Sequence, residues 1–138
     1  MPDSRYAKNA GAVFSLKYHL VWCPKYRRPV LIRPVLIRPV DARLKALLKD
    51  IAREHEMTIH AAEVMPDHVH LFVEADPTLC VAEIVNRFKG RTSRVLREEF
   101  RQLRTRLPTL WSRSYFAGTV GAVSEATIRR YIEAQKGR

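Results

Sequence analysis

Apolar residues recur along this chain at two spacings. In some stretches they fall at every second position, and in others at the i, i+3, i+4, i+7 spacing of a helix face. Ala12 to Cys23 alternates and is rich in aromatic and β-branched residues, which predicts a strand closed by Pro24. Leu44, Leu47, Leu48 and Ile51 keep helical spacing and predict an amphipathic helix over 42–55, with Asp41 as its N-cap. Met57 to Met65 and His68 to Glu74 read as two strands of a hairpin turned at Pro66-Asp67. Val81, Ile84, Val85, Phe88, Val95 and Leu96 form the buried stripe of a second helix, about 79–100. Leu110 to Val120 reads as a fourth strand, and Ser124 caps a last helix, 125–135, with Ile128 and Ile132 inward.

The resulting order is β-α-β-β-α-β-α. Its first six elements fit the ferredoxin-like (RRM-like) α+β pattern, an antiparallel sheet with two helices on one face. The C-terminal helix is an addition to that pattern. At 138 residues the chain suits one domain. Residues 1–11 are polar and read as a flexible arm, leaving 12–138 as the domain. Leu31-Ile32-Arg33-Pro34-Val35 recurs unchanged as Leu36-Ile37-Arg38-Pro39-Val40. Two five-residue units are too short for a solenoid. Their prolines disfavour helix and central strand, so the repeat reads as an extended loop or edge ribbon.

Charge narrows the partners. The net charge is +11, with 25 Lys and Arg against 14 Asp and Glu, which points to a polyanion and most simply to nucleic acid. Lys25, Arg27, Arg28, Lys89, Arg91 and Arg94 are the candidate phosphate contacts, joined by Arg33, Arg38 and Arg87. Tyr26 and Trp111 are candidates to stack on unpaired bases, with core packing as the alternative for either. No apolar run approaches the roughly 18 residues of a membrane span. The N-terminus lacks an apolar signal segment, and two cysteines are too few for a disulfide scaffold. A cytoplasmic protein with reduced thiols and no membrane partner is therefore expected.

One short motif carries candidate chemistry. His68 and His70 flank Val69 on a predicted strand, so both imidazoles point to the same face. That is half of a metal site, although two such rings can also simply pack beside the sheet or face solvent. Asp67 either orients one imidazole or is an ordinary turn aspartate. On the last helix, Tyr131 and Gln135 are i, i+4 neighbours, a phenol beside a carboxamide. A phenol with a pKa near 10 is a weak nucleophile unless a cation assists it. Taken alone, the tyrosine also suits a packing role.

Glu63-Val64-Met65-Pro66-Asp67-His68-Val69-His70-Leu71 closely resembles the His–hydrophobe–His segment of the small single-tyrosine HUH transposases (TnpA-like) of bacterial and archaeal insertion sequences. Three further blocks match in order: Tyr18 to Arg27, Phe88 to Ser93, and Trp111 to Phe116 followed by Arg130 to Gln135. Together they span roughly 13–135. The resemblance implies a transposase that cleaves and rejoins single-stranded DNA at hairpin-bearing element ends. Tyr131 would be the nucleophile that forms a 5′-phosphotyrosine. His68, His70 and Gln135 would be the ligands of a divalent metal, Mg²⁺ or Mn²⁺. The resemblance further implies a homodimer with composite sites, the tyrosine helix of one subunit serving the histidine pair of the other. This chain departs from the pattern after Arg28, where the duplication lengthens the loop by five residues.

Two rival functions fit the residues without the resemblance. A non-catalytic ferredoxin-like module would bind single-stranded nucleic acid without metal. A metal-dependent hydrolase would use the histidine pair to activate water and would leave no covalent adduct.

Overall fold

The computed structural model describes residues 7–8, 13–14, 16–32, 39–119 and 124–138. A short antiparallel ribbon, β1 (Ala7–Lys8) with β2 (Val13–Phe14), precedes the main sheet. The sheet contains β3 (Lys17–Trp22), β4 (Thr58–Met65), β5 (His68–Glu74) and β6 (Phe116–Thr119). Its order is β4-β5-β3-β6 and every pairing is antiparallel. With the helices α1 (Val40–Glu54) and α2 (Val81–Glu99) between strands, this is the predicted ferredoxin-like α+β arrangement. A five-residue helix α3 (Arg101–Thr105) follows α2, and α4 (Glu125–Ala134) follows the sheet.

Alternation along β5 sets the two faces of the sheet. Val69, Leu71 and Val73 are fully buried, while His68, His70 and Phe72 between them are half-buried. Leu20 and Trp22 of β3 join the buried face, and with Leu44, Leu48 and Ile51 of α1 and Ile84, Phe88 and Leu96 of α2 they form one apolar cluster. The imidazoles therefore stand on the face away from that core.

Several boundaries differ from the pattern-based expectation. The first strand is shorter than 12–23, because Val13–Phe14 pairs with Ala7–Lys8 and not with the main sheet. Helix α1 begins at Val40 with Pro39 at the N-cap position, so Asp41 is not the cap. Asp41 sits in the first turn, where its Oδ1 accepts the Ala42 N–H at 2.8 Å. The fourth strand covers only Phe116–Thr119, because Leu110 and Trp111 are drawn into the core (0% and 6% exposed) ahead of the sheet edge. Ala12 and Val120, at the ends of the expected strands, and Arg33 to Arg38 of the repeat lie outside the described residues. The repeat is nevertheless closed at its base. Val40 N–H donates to Ile32 O at 3.2 Å, and Leu31 N–H donates to Pro66 O at 3.1 Å beside the hairpin turn.

Candidate active site

The histidine pair sits where strand geometry requires. His70 is paired on both sides, with Val21 of β3 and Glu63 of β4, while His68 opens β5 and pairs with Met65 across the hairpin. Asp67 Oδ1 lies 2.9 Å from His68 Nδ1, which favours the tautomer with Nδ1 protonated and leaves Nε2 available as a ligand. His70 Nε2 meets His19 Nδ1 of β3 at 3.0 Å, and Glu63 Oε2 approaches His70 Nδ1 at 3.9 Å. Burial, reinforced by the neighbouring His19, holds His70 below its usual pKa. It therefore favours the neutral imidazole, the form that binds metals.

Helix α4 faces these imidazoles across an open cavity of about 700 Å³. His19, Glu63, Asp67, His68 and His70 line the sheet side, and Ile128, Arg129, Ile132 and Glu133 line the helix side. Ser124 caps α4 by accepting the Thr127 N–H at 3.2 Å, as its sequence indicates. The helix buries none of its ten residues, and the inward-facing isoleucines remain half-exposed over the cavity.

Tyr131 and Gln135 do not line that cavity. The Tyr131 hydroxyl donates to Ser114 Oγ at 2.9 Å, and its ring lies 5.9 Å from that of Phe116. Burial pushes its phenol up to about 12, with the Ser114 contact pulling the other way. Gln135 is only 4% exposed, and its Oε1 is buried with no hydrogen-bond partner. A buried carboxamide oxygen without a partner is unfavourable unless something binds it, which fits a ligand role. Among the described residues, no three His, Cys, Asp or Glu side chains cluster to hold a metal by themselves. Two imidazoles and an amide oxygen are a different donor set, neutral and suited to a cation that also takes a phosphate oxygen.

The basic candidates divide by environment. Tyr26 is 39% exposed, with Lys25 Nζ 5.2 Å and the Arg28 guanidinium carbon 6.0 Å from its ring centre. Arg94 is exposed on α2. Arg27 is engaged internally with Asp67 and the Ile132 carbonyl. Lys89 Nζ donates to the Ser112 and Ser114 carbonyls at 2.6 and 3.2 Å, and burial brings its pKa down to about 8. Arg91 pairs with Glu54 of α1. Trp111 is packed edge-on to Trp22, and its indole N–H donates to Thr92 Oγ1 at 3.0 Å, so its ring belongs to the core and not to a stacking surface.

Two participants escape a reading of the sequence alone. His19 has a usable signal, a histidine alternating with Tyr18, Leu20 and Trp22 and so facing away from the core. Ser114 has none, since only the fold brings it to Tyr131.

The profile of the family described as "Transposase IS200 like" matches residues 12–135. This chain belongs to the IS200-like transposase family. It is 40% identical over 130 residues to the ISDra2 transposase TnpA of Deinococcus radiodurans, covering 93% of this chain and 89% of that one. It is 30% identical over 124 residues to the transposase for insertion sequence element IS200 of Salmonella typhimurium, covering 88% of this transposase and 78% of the other. A transposase crystal structure from Deinococcus radiodurans R1 superposes with a TM-score of 0.82 at 36% identity, covering 96% of this chain and 99% of that one. A REP-associated tyrosine transposase bound to a REP hairpin shares the fold, with a TM-score of 0.54 at 13% identity over 96% of this chain and 69% of that one.

Proposed function

We propose that this transposase cleaves and rejoins single-stranded DNA at the hairpin-bearing ends of an insertion sequence, acting in the cytoplasm through Tyr131 and a divalent cation. The carrying observation is the cavity that places His68 and His70 opposite the helix bearing Tyr131. In the cleavage step the Tyr131 oxygen attacks the scissile phosphorus. The bond to the 3′ oxygen breaks, the phenol gives up its proton, and the departing oxygen takes one up as a free 3′-OH. A 3′-OH then attacks the 5′-phosphotyrosine, expels the phenol and restores a phosphodiester.

His68, His70 and Gln135 would hold Mg²⁺ or Mn²⁺, and the fit rests on the neutral His70 and the unpartnered Gln135 oxygen. When bound, such an ion polarises the phosphate and stabilises charge on its oxygens. The protein's own part is to hold the imidazoles on a rigid strand and to deliver the phenol. Burial moves the Tyr131 phenol, already protonated at neutral pH, still further from ionisation in the metal-free protein, so the attack needs assistance in removing its proton. Because the hydroxyl rests on Ser114 outside its own cavity, it must be released from Ser114 before it can attack. Delivery to the histidine pair of a second subunit, in a composite dimer, satisfies that requirement.

Lys25 and Arg28 around the Tyr26 ring supply a cationic and aromatic patch for the strand, with Arg94 exposed on α2. The hairpin held by the REP-associated relative supports a hairpin as ligand here too. The test mixes the purified protein with labelled single-stranded element ends and resolves products on a denaturing gel. A slow-migrating adduct that needs Mn²⁺ or Mg²⁺ and vanishes in Tyr131→Phe is expected. Cleavage that survives Tyr131→Phe would instead identify a hydrolase, and metal-independent binding with no cleavage would identify a binding module.

A further inference from the structure

The segment after β3 is held in an unfavourable backbone conformation. Tyr26 and Arg27 both have positive φ, 61° and 53°, a region that side-chain-bearing residues seldom occupy. Backbone hydrogen bonds hold the turn. Arg27 N–H donates to Pro24 O at 2.8 Å and Lys25 N–H to Leu110 O at 2.8 Å. Tyr26 N–H donates to Arg138 O at 2.7 Å, and Gly137 N–H donates back to Tyr26 O at 3.3 Å, so the turn is stitched to the chain just beyond α4.

The turn places the Arg27 guanidinium between two functional parts. Its Nη1 donates to Ile132 O at 3.2 Å, at the C-terminal end of α4, where the helix dipole favours a cation. Its Nε lies 3.5 Å from Asp67 Oδ2, and the other oxygen of that carboxylate lies 2.9 Å from His68 Nδ1. Ile132 adjoins Tyr131 and precedes Gln135 by less than one turn. A single planar side chain thus joins the tyrosine helix to the first histidine, using two donors of its fork.

We propose that Arg27 is a positioning residue, fixing α4 relative to His68 through Asp67 in the resting arrangement within one chain, and that it is not a phosphate contact. The inference rests on the histidine-pair reading above. Asp67, anchored by Arg27, holds His68 with Nδ1 protonated and Nε2 presented, while the same guanidinium sets where α4 ends and so where Gln135 sits. Partners of this kind behind a metal-binding histidine are worth about 10- to 100-fold in metal affinity.

Arg27→Gln provides the test, read in three ways. In the metal-free protein at pH 8, ring-nitrogen NMR shifts of His68 should report one tautomer in the parent and a mixture in the variant. Calorimetric titration with Mn²⁺ in the absence of DNA should show affinity falling about tenfold. Affinity for a single-stranded hairpin, measured in the Tyr131→Phe background, should stay within about twofold, with an unchanged salt slope. Asp67→Asn should weaken Mn²⁺ binding to a similar degree, and the loss in the double variant should be smaller than the product of the two single losses.

An unchanged His68 spectrum with unchanged Mn²⁺ affinity would overturn the proposal. So would a loss of hairpin affinity with a salt slope lower by about one, the mark of a phosphate contact. If Arg27→Gln fails to fold, Asp67→Asn decides alone, and unaltered Mn²⁺ affinity there refutes the linkage. The two readings fail separately. A parent protein that binds Mn²⁺ but forms no adduct defeats the phosphotyrosine step and leaves the linkage standing. A parent that forms the adduct, with variants that bind Mn²⁺ normally, defeats the linkage alone. If the parent binds no Mn²⁺, the His68 spectrum decides.

Discussion

Helices α2 and α4 carry similar amphipathic stripes and do opposite things with them. Helix α2 buries Ile84, Val85, Phe88, Thr92 and Leu96, whereas every residue of α4 is half-buried or exposed and Ile128 and Ile132 stand over a cavity. The side-chain hydroxyl of Thr92, the polar member of the α2 stripe, is also fully used, donating to Phe88 O at 2.6 Å and accepting from the Trp111 indole. Hydrophobic periodicity therefore identifies a face that must meet something, but not whether that something is the protein's own core. On α2 the stripe stabilises the fold. On α4 it borders the space where the substrate is proposed to go, and a few polar contacts, from Arg27 to Ile132 O and from Tyr131 to Ser114, hold the helix in place of a buried stripe.

That contrast can be broken by substitution. Tyr131→Phe should abolish adduct formation while the melting temperature, read by circular dichroism, stays close to that of the parent. A large drop in melting temperature would make Tyr131 a packing residue. Phe88→Ala should destabilise by about 3–5 kcal/mol in urea titration while the folded fraction keeps its cleavage rate. Thr92→Val removes the acceptor of a buried indole N–H and should destabilise by about 1–3 kcal/mol in the same assay. Ile128→Ala should lower stability by roughly 1 kcal/mol or less, since the side chain is only half-buried. A loss as large as that at Phe88 would show α4 to be as structural as α2.

The smallest effect is a pH dependence. Tyr131 titrates at about 12 in the fold against 10.0 for an ordinary phenol. The folded state thus keeps a proton that the unfolded chain has lost, so stability falls as pH rises through that window. Below it the group contributes no slope. Tyr131→Phe should make alkaline unfolding shallower between those two values, and the ultraviolet difference titration of parent minus variant should show one late phenol. A midpoint near 10 would mean that the phenol is not buried against α4's neighbours.

Much of this architecture is legible in residue spacing because it depends on neighbours along the chain. Val69, Leu71 and Val73 alternate with His68, His70 and Phe72, and strand geometry alone assigns the faces. The stripe of α1 is equally local. What spacing does not carry is contact between distant segments. Leu110 and Trp111 have strand-like composition, yet they keep only an isolated antiparallel bridge, Trp111 to Pro24, while the Trp111 ring packs against Trp22 and Thr92. Tyr131 and Gln135 are readable as a pair on one helix, but the resting contact with Ser114 arises from the return of a loop 17 residues earlier. The basic surface shows the same limit. Lys89 and Arg27 look like phosphate contacts in the sequence and are satisfied inside the fold. Lys25 and Arg28 flank an exposed Tyr26 ring.

The bond between Ile32 and Val40 bears on how this gene can vary. The repeated unit begins with Leu-Ile and ends with Pro-Val, so any whole number of copies presents the same residues at the junction. With a single copy, the corresponding bond would close a four-residue turn from Ile32 to Val35. Chains differing by whole units would thus keep the same residues on either side of this junction, and the fold should tolerate a change of copy number at this one place.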